Sequence, residues 1–182
     1  MLQGARVRLR AVEDDDLDLL WRWRNDLEVA GNLNQPRPWS RADVRAWVNR
    51  NREQADQRLW FIIETQDGRP IGRIGLTEMD SLNRHAELNL VIGEKEFQGQ
   101  GLGQDAARTL VRYAFEQLGL NKLWLVTLAS NERALICFER CGFRRTGVMQ
   151  QHMFRDGKLQ DVVVMEALNG GDTAQDGGEM SQ

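Results

Sequence analysis

The sequence of 182 residues contains little cysteine, proline, histidine and tyrosine: two, three, two and one residues respectively. Because Cys137 and Cys141 stand four apart in a helical pattern, they indicate buried thiols of a reducing compartment and not a disulfide. The chain lacks an apolar run of about 18 residues, which excludes a membrane-spanning helix, and its first residues show no signal-peptide core. These absences predict a cytoplasmic protein that folds without disulfides.

The chain also lacks a large excess of charge of either sign. The net charge is −3 and the isoelectric point about 5.5, which argues against a nucleic-acid-binding protein because such proteins need a basic face. Hydrophobic residues make up 41% and charged residues 28%, as in ordinary globular domains. The length and composition predict one domain over residues 1–168, which needs no metal to fold, followed by a polar, glycine-rich and mobile tail over 169–182.

Hydrophobic periodicity predicts alternating strands and helices. Alternation with period two predicts strands over 6–10 and 86–92, and a turn signal at 67–68 predicts a hairpin of strands over 59–64 and 69–79. A continuous apolar run predicts a buried strand over 123–128, and a closing pair of strands from 143 surrounds a turn at 156–157. Acidic residues open a helix over 13–23, and apolar stripes predict helices over 41–51, 101–118 and 131–141. Ser40 and Asn131 are the predicted N-caps of the second and last of these helices. The predicted fold class is α/β, with a mixed, mostly antiparallel central sheet flanked by helices.

The most informative segment joins a strand to the long helix and carries glycine at 99, 101 and 103. Glycines at this spacing let backbone N–H groups face one point, and the helix N-terminus behind them adds a partial positive charge. The segment therefore predicts a phosphate or pyrophosphate cradle. The alternative is a helix N-terminal turn that merely needs glycine.

Two common nucleotide motifs do not fit this segment. A P-loop requires lysine and a hydroxyl residue after the last glycine, and Gln104 stands there instead. A dinucleotide-binding turn requires glycine or alanine at this same position, and it follows the first strand of the fold, whereas this loop follows several strands.

The remaining pattern is Gln-x-x-Gly-x-Gly, formed by Gln98, Gly101 and Gly103. With it the sequence resembles the GNAT N-acetyltransferases, in the branch of ribosomal-protein N-terminal and spermidine N-acetyltransferases. The resemblance covers nearly the whole chain up to Leu168. Four further segments carry it, namely 6–10, 83–93, 131–143 and 156–165.

The resemblance implies a GNAT fold and an enzyme that transfers the acetyl group of acetyl-CoA, its cosubstrate, to a primary amine. It places the pantetheine arm along Leu90, Val91 and Ile92, which would act as a strand edge. The pyrophosphate would meet the loop, and the last helix would hold the arm from the far side. The implied cofactor-binding residues are Leu90, Val91, Ile92, Gln98, Gly99, Gln100, Gly101, Leu102, Gly103, Gln104, Asn131, Ala134 and Phe138.

Amine acetylation needs a base, because an alkylamine titrates near 10.4 and is protonated at neutral pH. Glu87 on the strand next to the cofactor is the first candidate, acting directly or through water. A structural or substrate-orienting role for this carboxylate is the alternative. Glu78 on the preceding strand is a second candidate. His85, expected in a turn, is interpreted as a surface histidine, and His152 has no recognisable context.

The general acid has no clear candidate in the sequence. Many family members carry tyrosine where Phe138 stands, and phenylalanine donates no proton to the leaving thiolate. Tyr113, the only tyrosine, lies mid-helix and is interpreted as packing. Because a thiol has a pKa near 8.5, its thiolate leaves with little help. Water, Ser130 and Cys137 remain as alternatives.

The acceptor is predicted to be a small-molecule or peptide amine, such as a protein N-terminus or a polyamine, with no nucleic acid or membrane partner and a possible homodimer. Its site is expected between residues 21 and 39 and the closing hairpin. Asp26 and Glu28 are candidates to hold a cationic amine, or form a solvated helix end. Trp39 walls the pocket or fills the core. A non-catalytic, regulatory acyl-CoA-binding protein is the alternative function.

Overall fold

The computed structural model describes residues 1–30, 37–155 and 157–170. Eight strands are β1 (Leu2–Gln3), β2 (Val7–Ala11), β3 (Leu59–Thr65), β4 (Pro70–Asp80), β5 (His85–Ile92), β6 (Lys122–Leu128), β7 (Arg144–Arg155) and β8 (Lys158–Leu168). Five α-helices are α1 (Leu17–Asn25), α2 (Leu27–Ala30), α3 (Arg41–Glu53), α4 (Leu102–Glu116) and α5 (Glu132–Glu139).

The strands form a single sheet in the order β1-β2-β3-β4-β5-β6-β8-β7. All neighbours are antiparallel except β5 and β6, because the chain crosses over through α4 between them. The sheet confirms the predicted mixed, mostly antiparallel α/β class. Two short elements, β1 and α2, were not predicted, since neither is long enough to show a period.

Alternation along the strands builds two hydrophobic layers. Ile62 and Ile63 are successive residues of β3, both fully buried, and they enter different clusters because neighbouring side chains point to opposite faces. Ile63 packs in the cluster that includes Leu110 of α4. Ile62 packs with Leu20 of α1 and Val44 of α3. The sheet therefore has α4 and α5 on one face and α1 and α3 on the other.

Local capping fixes where the helices begin. Ser40 accepts a hydrogen bond from the backbone N–H of Asp43 at 3.1 Å, which confirms it as the N-cap of α3. The helix predicted over 13–23 begins later, at Leu17, after a 3₁₀ turn over Asp14–Asp16. Asp16 ends this turn, and its buried carboxylate pairs with Arg10 of β2 at 2.7 Å.

The pairing of the parallel strands β5 and β6 is short. Strands β5 and β6 pair at three positions, from His85 opposite Lys122 to Glu87 opposite Trp124, and no further pairing between them occurs in the described residues. Both strands continue beyond that point, to Ile92 and Leu128. The β6-facing edge of β5 therefore keeps unpaired backbone groups.

Within the described ranges, no helix has the length and apolarity needed to cross a membrane. Strand β8 ends at Leu168, the last residue of the predicted domain, and the division of the chain at that point stays a prediction. The mobile tail predicted over 169–182 lies, from residue 171 onward, outside the described residues and stays a prediction.

Candidate active site

A cavity of about 480 Å³ opens where β5 and β6 are no longer paired. Its walls come from β5, the loop over 98–101 that precedes α4 (called the glycine loop), the first turn of α4, and α5. The lining residues are Val29, Leu90, Val91, Ile92, Phe97, Gln98, Gly99, Gly101, Gly103, Gln104, Asn131, Glu132, Arg133, Ala134, Ile136, Cys137, Phe138 and Arg140. The cavity is called the cofactor cleft below.

The glycine loop presents backbone donors to the cofactor cleft. Gly99 and Gly101 have φ angles of 75° and 80°, in the left-handed region that favours glycine. Gly101 is the N-cap of α4, and the first intrahelical hydrogen bond runs from the N–H of Asp105 to its carbonyl at 3.1 Å. The amides of the three residues in between therefore have no intrahelical acceptor, and they stand at the positive end of the helix dipole. This arrangement fits a pyrophosphate.

Contacts with the N-terminal segment hold the loop in place. The carboxylate of Asp105 accepts hydrogen bonds from the backbone N–H groups of Arg6 and Val7 at 2.7 and 3.0 Å. The Arg6 guanidinium donates to the carbonyl of Gln100 at 2.6 Å. Sequence reasoning missed both side chains, because an aspartate in a first helical turn is explained by the helix dipole alone.

Gln98 connects three parts of the cofactor cleft. Its side-chain amide donates to the carbonyl of Ile92 at 2.9 Å, and its side-chain oxygen accepts from Arg133 of α5 at 3.1 Å. Asn131 caps α5 by accepting from the N–H of Ala134 at 3.2 Å. The loop, the end of β5 and the start of α5 are thereby fixed relative to one another.

Eleven of the thirteen predicted cofactor-binding residues line this cleft, and the exceptions are Gln100 and Leu102. Gln100 is exposed and donates to the carbonyl of Glu96, and Leu102 is buried beneath the loop. The structure adds Arg133 and Arg140 to the predicted set. Their helical spacing with Cys137 was the signal that could have found them.

Phe138 and Cys137 line the α5 side of the cleft. Phe138 is buried and packs against Phe143 at a ring-centroid distance of 5.6 Å. The two cysteines are free thiols, as the sequence predicted. Hydrogen bonding from Cys141, and then the nearby arginines, lower the pKa of Cys137. Tyr113 packs against Phe61 instead, at 6.3 Å, which confirms its interpretation as packing.

A second cavity of about 280 Å³ lies beside β5, on the sheet face covered by α1 and α3. Its lining residues are Arg24, Trp47, Arg58, Trp60, Arg73, Thr77, Glu78, Glu87 and Asn89. Glu87 and Asn89 directly precede the stretch of β5 that lines the cofactor cleft. This second cavity is called the acceptor pocket below.

Glu87 belongs to a short hydrogen-bonded series in the acceptor pocket. The Asn89 amide donates to the Thr77 hydroxyl at 2.9 Å, and that hydroxyl lies 2.9 Å from a Glu87 carboxylate oxygen. The β4–β5 register explains the group, because Thr77 is directly opposite Glu87 and all three side chains share one face.

Glu78 lines the same pocket, so the structure brings both candidate bases together. Its φ angle of 50° is in the left-handed region and coincides with an irregularity in the pairing of β4 with β5 after Thr77. Such irregularities turn a side chain away from its regular direction and are frequent beside active sites. Glu78 therefore faces the pocket from a strained backbone.

The two histidines line neither cavity. The expectation that His85 is a surface residue in a turn is wrong, because it is the first residue of β5 and is half-buried. Its imidazole lies 3.9 Å from Asp80. His152 is exposed on β7.

The region expected to bind the acceptor lies partly outside the described residues, at 31–36. Asp26 and Glu28 both pair with Lys95, at 3.1 and 3.0 Å, and line neither cavity. This favours their alternative role as a helix end. Trp39 packs in the α1–α3 hydrophobic cluster, with the Arg24 guanidinium 4.1 Å from its ring centroid.

A backbone cradle at a helix N-terminus, an open strand edge and a neighbouring pocket with carboxylates define a CoA-dependent acyltransferase. The model of the acetyltransferase (GNAT) domain matches residues 6–144 of the chain. The protein therefore belongs to the GNAT acetyltransferase family, and it uses acetyl-CoA to acetylate an amine. The family resemblance inferred from the sequence is confirmed.

Several characterised or named relatives are similar to the chain. Spermidine N(1)-acetyltransferase of Escherichia coli (strain K12) is 29% identical over 172 residues, covering 91% of this chain and 87% of that protein. The putative ribosomal N-acetyltransferase YdaF of Bacillus subtilis (strain 168) is 36% identical over 102 residues, covering 56% of this chain and 55% of that protein.

Among solved structures, spermidine N-acetyltransferase from Vibrio cholerae, in complex with CoA and spermine, superposes with a TM-score of 0.85. It is 26% identical, and the match covers 92% of this chain and 98% of that one. Both branches named in the sequence analysis are thus found among the relatives. These relatives indicate that the protein is an enzyme. They do not favour the alternative of a non-catalytic acyl-CoA-binding protein.

Proposed function

We propose that the enzyme acetylates a primary amine by direct attack of the amine, with Glu87 as the base that takes the amine proton, directly or through one water. The observation that carries this proposal is the position of Glu87 on β5. It lines the acceptor pocket, and residues three to five positions further on line the cofactor cleft. One strand thus connects a carboxylate to the place where the acetyl donor fits.

The hydrogen-bonded series supports a fixed orientation of the Glu87 carboxylate. The Thr77 hydroxyl accepts a hydrogen bond from Asn89, which leaves its own proton to donate toward Glu87. This donor holds the carboxylate in place beside the pocket. In the alternative role, Glu87 only orients the substrate. The geometry is the same for both roles, so kinetic measurements are needed to distinguish a base from an orienting carboxylate.

The cofactor cleft supports acetyl-CoA as the donor, which supplies an activated acetyl thioester when bound. The free amides after Gly101 would hold the pyrophosphate, and Arg133 and Arg140 add positive charge near it. The open edge of β5 at Leu90–Ile92 offers backbone groups to the amides of the pantetheine arm.

Two side chains were named in the sequence analysis as alternative proton donors to the leaving thiolate. Cys137 lines the cofactor cleft, whereas Ser130 is exposed and does not. Because a thiolate with a pKa near 8.5 leaves readily, we expect the Cys137→Ala variant to lose less than about tenfold in kcat. Steady-state release of CoA thiol measures this. A loss of about 100-fold or more would instead make Cys137 the general acid and exclude water.

The proposed function is tested by CoA thiol release from acetyl-CoA with a panel of amines. The panel includes spermidine, aminoglycosides, amino acids and short peptides with free N-termini, and mass spectrometry of the products identifies the acetylated nitrogen. We expect turnover with one chemical class and acetylation at a primary amine. Acetylation of a hydroxyl, or hydrolysis of acetyl-CoA at a rate independent of every amine, would contradict the proposal.

A further inference from the structure

The acceptor pocket is richer in positive than in negative side chains. Three arginines line it, Arg24, Arg58 and Arg73, against two carboxylates, Glu78 and Glu87. One of the two carboxylates has the base role proposed above and accepts a proton during the reaction. This charge pattern is the opposite of what a polycation requires.

Arg73 is the central feature of the pocket. It is 8% exposed, although arginine is rarely buried without a partner. Within the described ranges its guanidinium makes no hydrogen bond or ion pair, and its contacts are the rings of Trp60 and Trp47, at 4.6 and 5.0 Å. Burial, with repulsion from Arg24, lowers its pKa to about 9, so the group is charged at neutral pH.

The sheet explains why Arg73 and Glu87 line the same pocket. On β4, Gly75 stands between Arg73 and Thr77 on the same face, and Trp60 of β3 is directly opposite Gly75. A Cβ added to Gly75 would be 2.5 Å from the Trp60 ring, so the ring lies over that glycine. The Arg73 guanidinium packs against this ring at 4.6 Å, on the sheet face that also carries Thr77 and Glu87.

Two tryptophans beside a pocket are often a cation-binding cage, because aromatic faces attract ammonium groups. Here Arg73 already occupies the space next to both ring faces. A polyamine would have to place a second positive charge against this guanidinium. The Trp60 indole N–H is also buried and has no acceptor among the described residues, which adds a second donor that lacks a partner.

We propose that the acceptor substrate is a primary amine that also carries an anionic group, a carboxylate or a phosphate, and that Arg73 binds this group. The inference rests on the acetyltransferase function proposed above and names its substrate class. A planar guanidinium binds either oxyanion through two parallel hydrogen bonds, and a bound anion would offset the unpaired buried charge. The pocket volume of about 280 Å³ suits a small molecule, whose amine would face Glu87.

The test compares amines that differ only in the anionic group. The pairs are ornithine with putrescine and phosphoethanolamine with ethanolamine, with spermidine as a further amine, and the two pairs separate carboxylate from phosphate. We expect kcat/KM for one anionic member to exceed that of its partner by about 10- to 100-fold, the range of a charge-assisted hydrogen bond. Thermal shift of the enzyme with CoA and each amine gives a second, activity-independent comparison.

Two variants assign the preference to Arg73. In Arg73→Met the preference is expected to disappear, mainly through KM, while Arg73→Lys keeps the charge and part of the preference. The control is Arg112→Met, an exposed arginine of α4 that lines neither cavity. Because Arg73→Met removes a buried charge without an ion-pair partner, its melting temperature is expected to equal or exceed that of the wild type.

The outcomes separate this inference from the proposed function. Preferred acetylation of spermidine or putrescine would overturn the inference and leave amine acetylation intact. Preferential binding of the anionic amines without thiol release would support the pocket assignment and contradict the proposed function. If Arg73→Met is folded and keeps the anion preference, Arg73 is not its binding group. If no amine is bound or acetylated, both proposals fail.

Discussion

Replacing Glu87 with glutamine is expected to lower kcat by about 10²- to 10⁴-fold, the usual contribution of a positioned general base. Glutamine keeps the size and the ability to accept the Thr77 hydrogen bond at 2.9 Å, but it cannot take a proton from the amine. The KM for acetyl-CoA should stay unchanged, because Glu87 does not line the cofactor cleft. Steady-state kinetics with the best amine of the panel measures both constants.

The pH profile separates a base from an orienting carboxylate. Without a base, only the small fraction of amine that is already deprotonated reacts, so the activity of Glu87→Gln should keep rising toward the amine pKa near 10.4. The wild type should reach its plateau at lower pH. The matched control is Glu116→Gln, an exposed carboxylate of α4 outside both cavities. If Glu87→Gln only raises the amine KM and keeps the wild-type profile, Glu87 orients the substrate and is not the base.

Features that depend on local sequence were predictable. The cap of α3 at Ser40 depends on residues within one turn, and its hydrogen bond from Asp43 is present. The glycine loop was predictable for the same reason, since positive φ at Gly99 and Gly101 and a following helix are local properties. The cleft residues on β5 and α5 came from the family resemblance, because strand divergence has no local signal.

Features that depend on register between strands were not predictable. Arg73 lies in a strand whose pattern suggests a solvent-facing side chain, and its burial requires Trp60 from β3 and Trp47 from α3 to meet above it. The same holds for the Asn89–Thr77–Glu87 series, which exists because Thr77 is opposite Glu87. Sequence reasoning found Glu87, but its hydrogen-bond partners required the sheet.

The acceptor region likewise depends on contacts between distant segments. The sequence offers Asp26 and Glu28 either as groups that hold a cationic amine or as a helix end, and their pairing with Lys95 favours the helix end. The carboxylates that line the acceptor pocket, Glu78 and Glu87, are on β4 and β5. Three arginines line the same pocket. Under the proposal for Arg73, the charge of the whole pocket, and not that of the reacting group alone, is expected to determine which amines bind.

Gly101→Val is expected to weaken CoA binding by about 100-fold or more while the domain stays folded. A β-branched residue is strained at a φ of 80°, and a relaxed backbone would turn the amides of the loop away from the pyrophosphate. Loss of one or two charge-assisted hydrogen bonds to an anion accounts for a change of this size. Isothermal titration calorimetry with CoA measures the affinity, and circular dichroism confirms the fold.

The effect of Gly101→Val on CoA binding must be distinguished from the effect of backbone strain alone. The control variant for this purpose is Gly119→Val. Gly119 follows α4, has a φ of 65°, and has no atom within 4 Å of an added Cβ, so the substitution carries similar strain outside both cavities. Both variants should lose about 1–2 kcal/mol of unfolding free energy, the cost of a left-handed non-glycine residue. Because the strain is matched, only Gly101→Val should lose CoA affinity, and equal affinity in the two variants would mean that the loop does not hold the pyrophosphate.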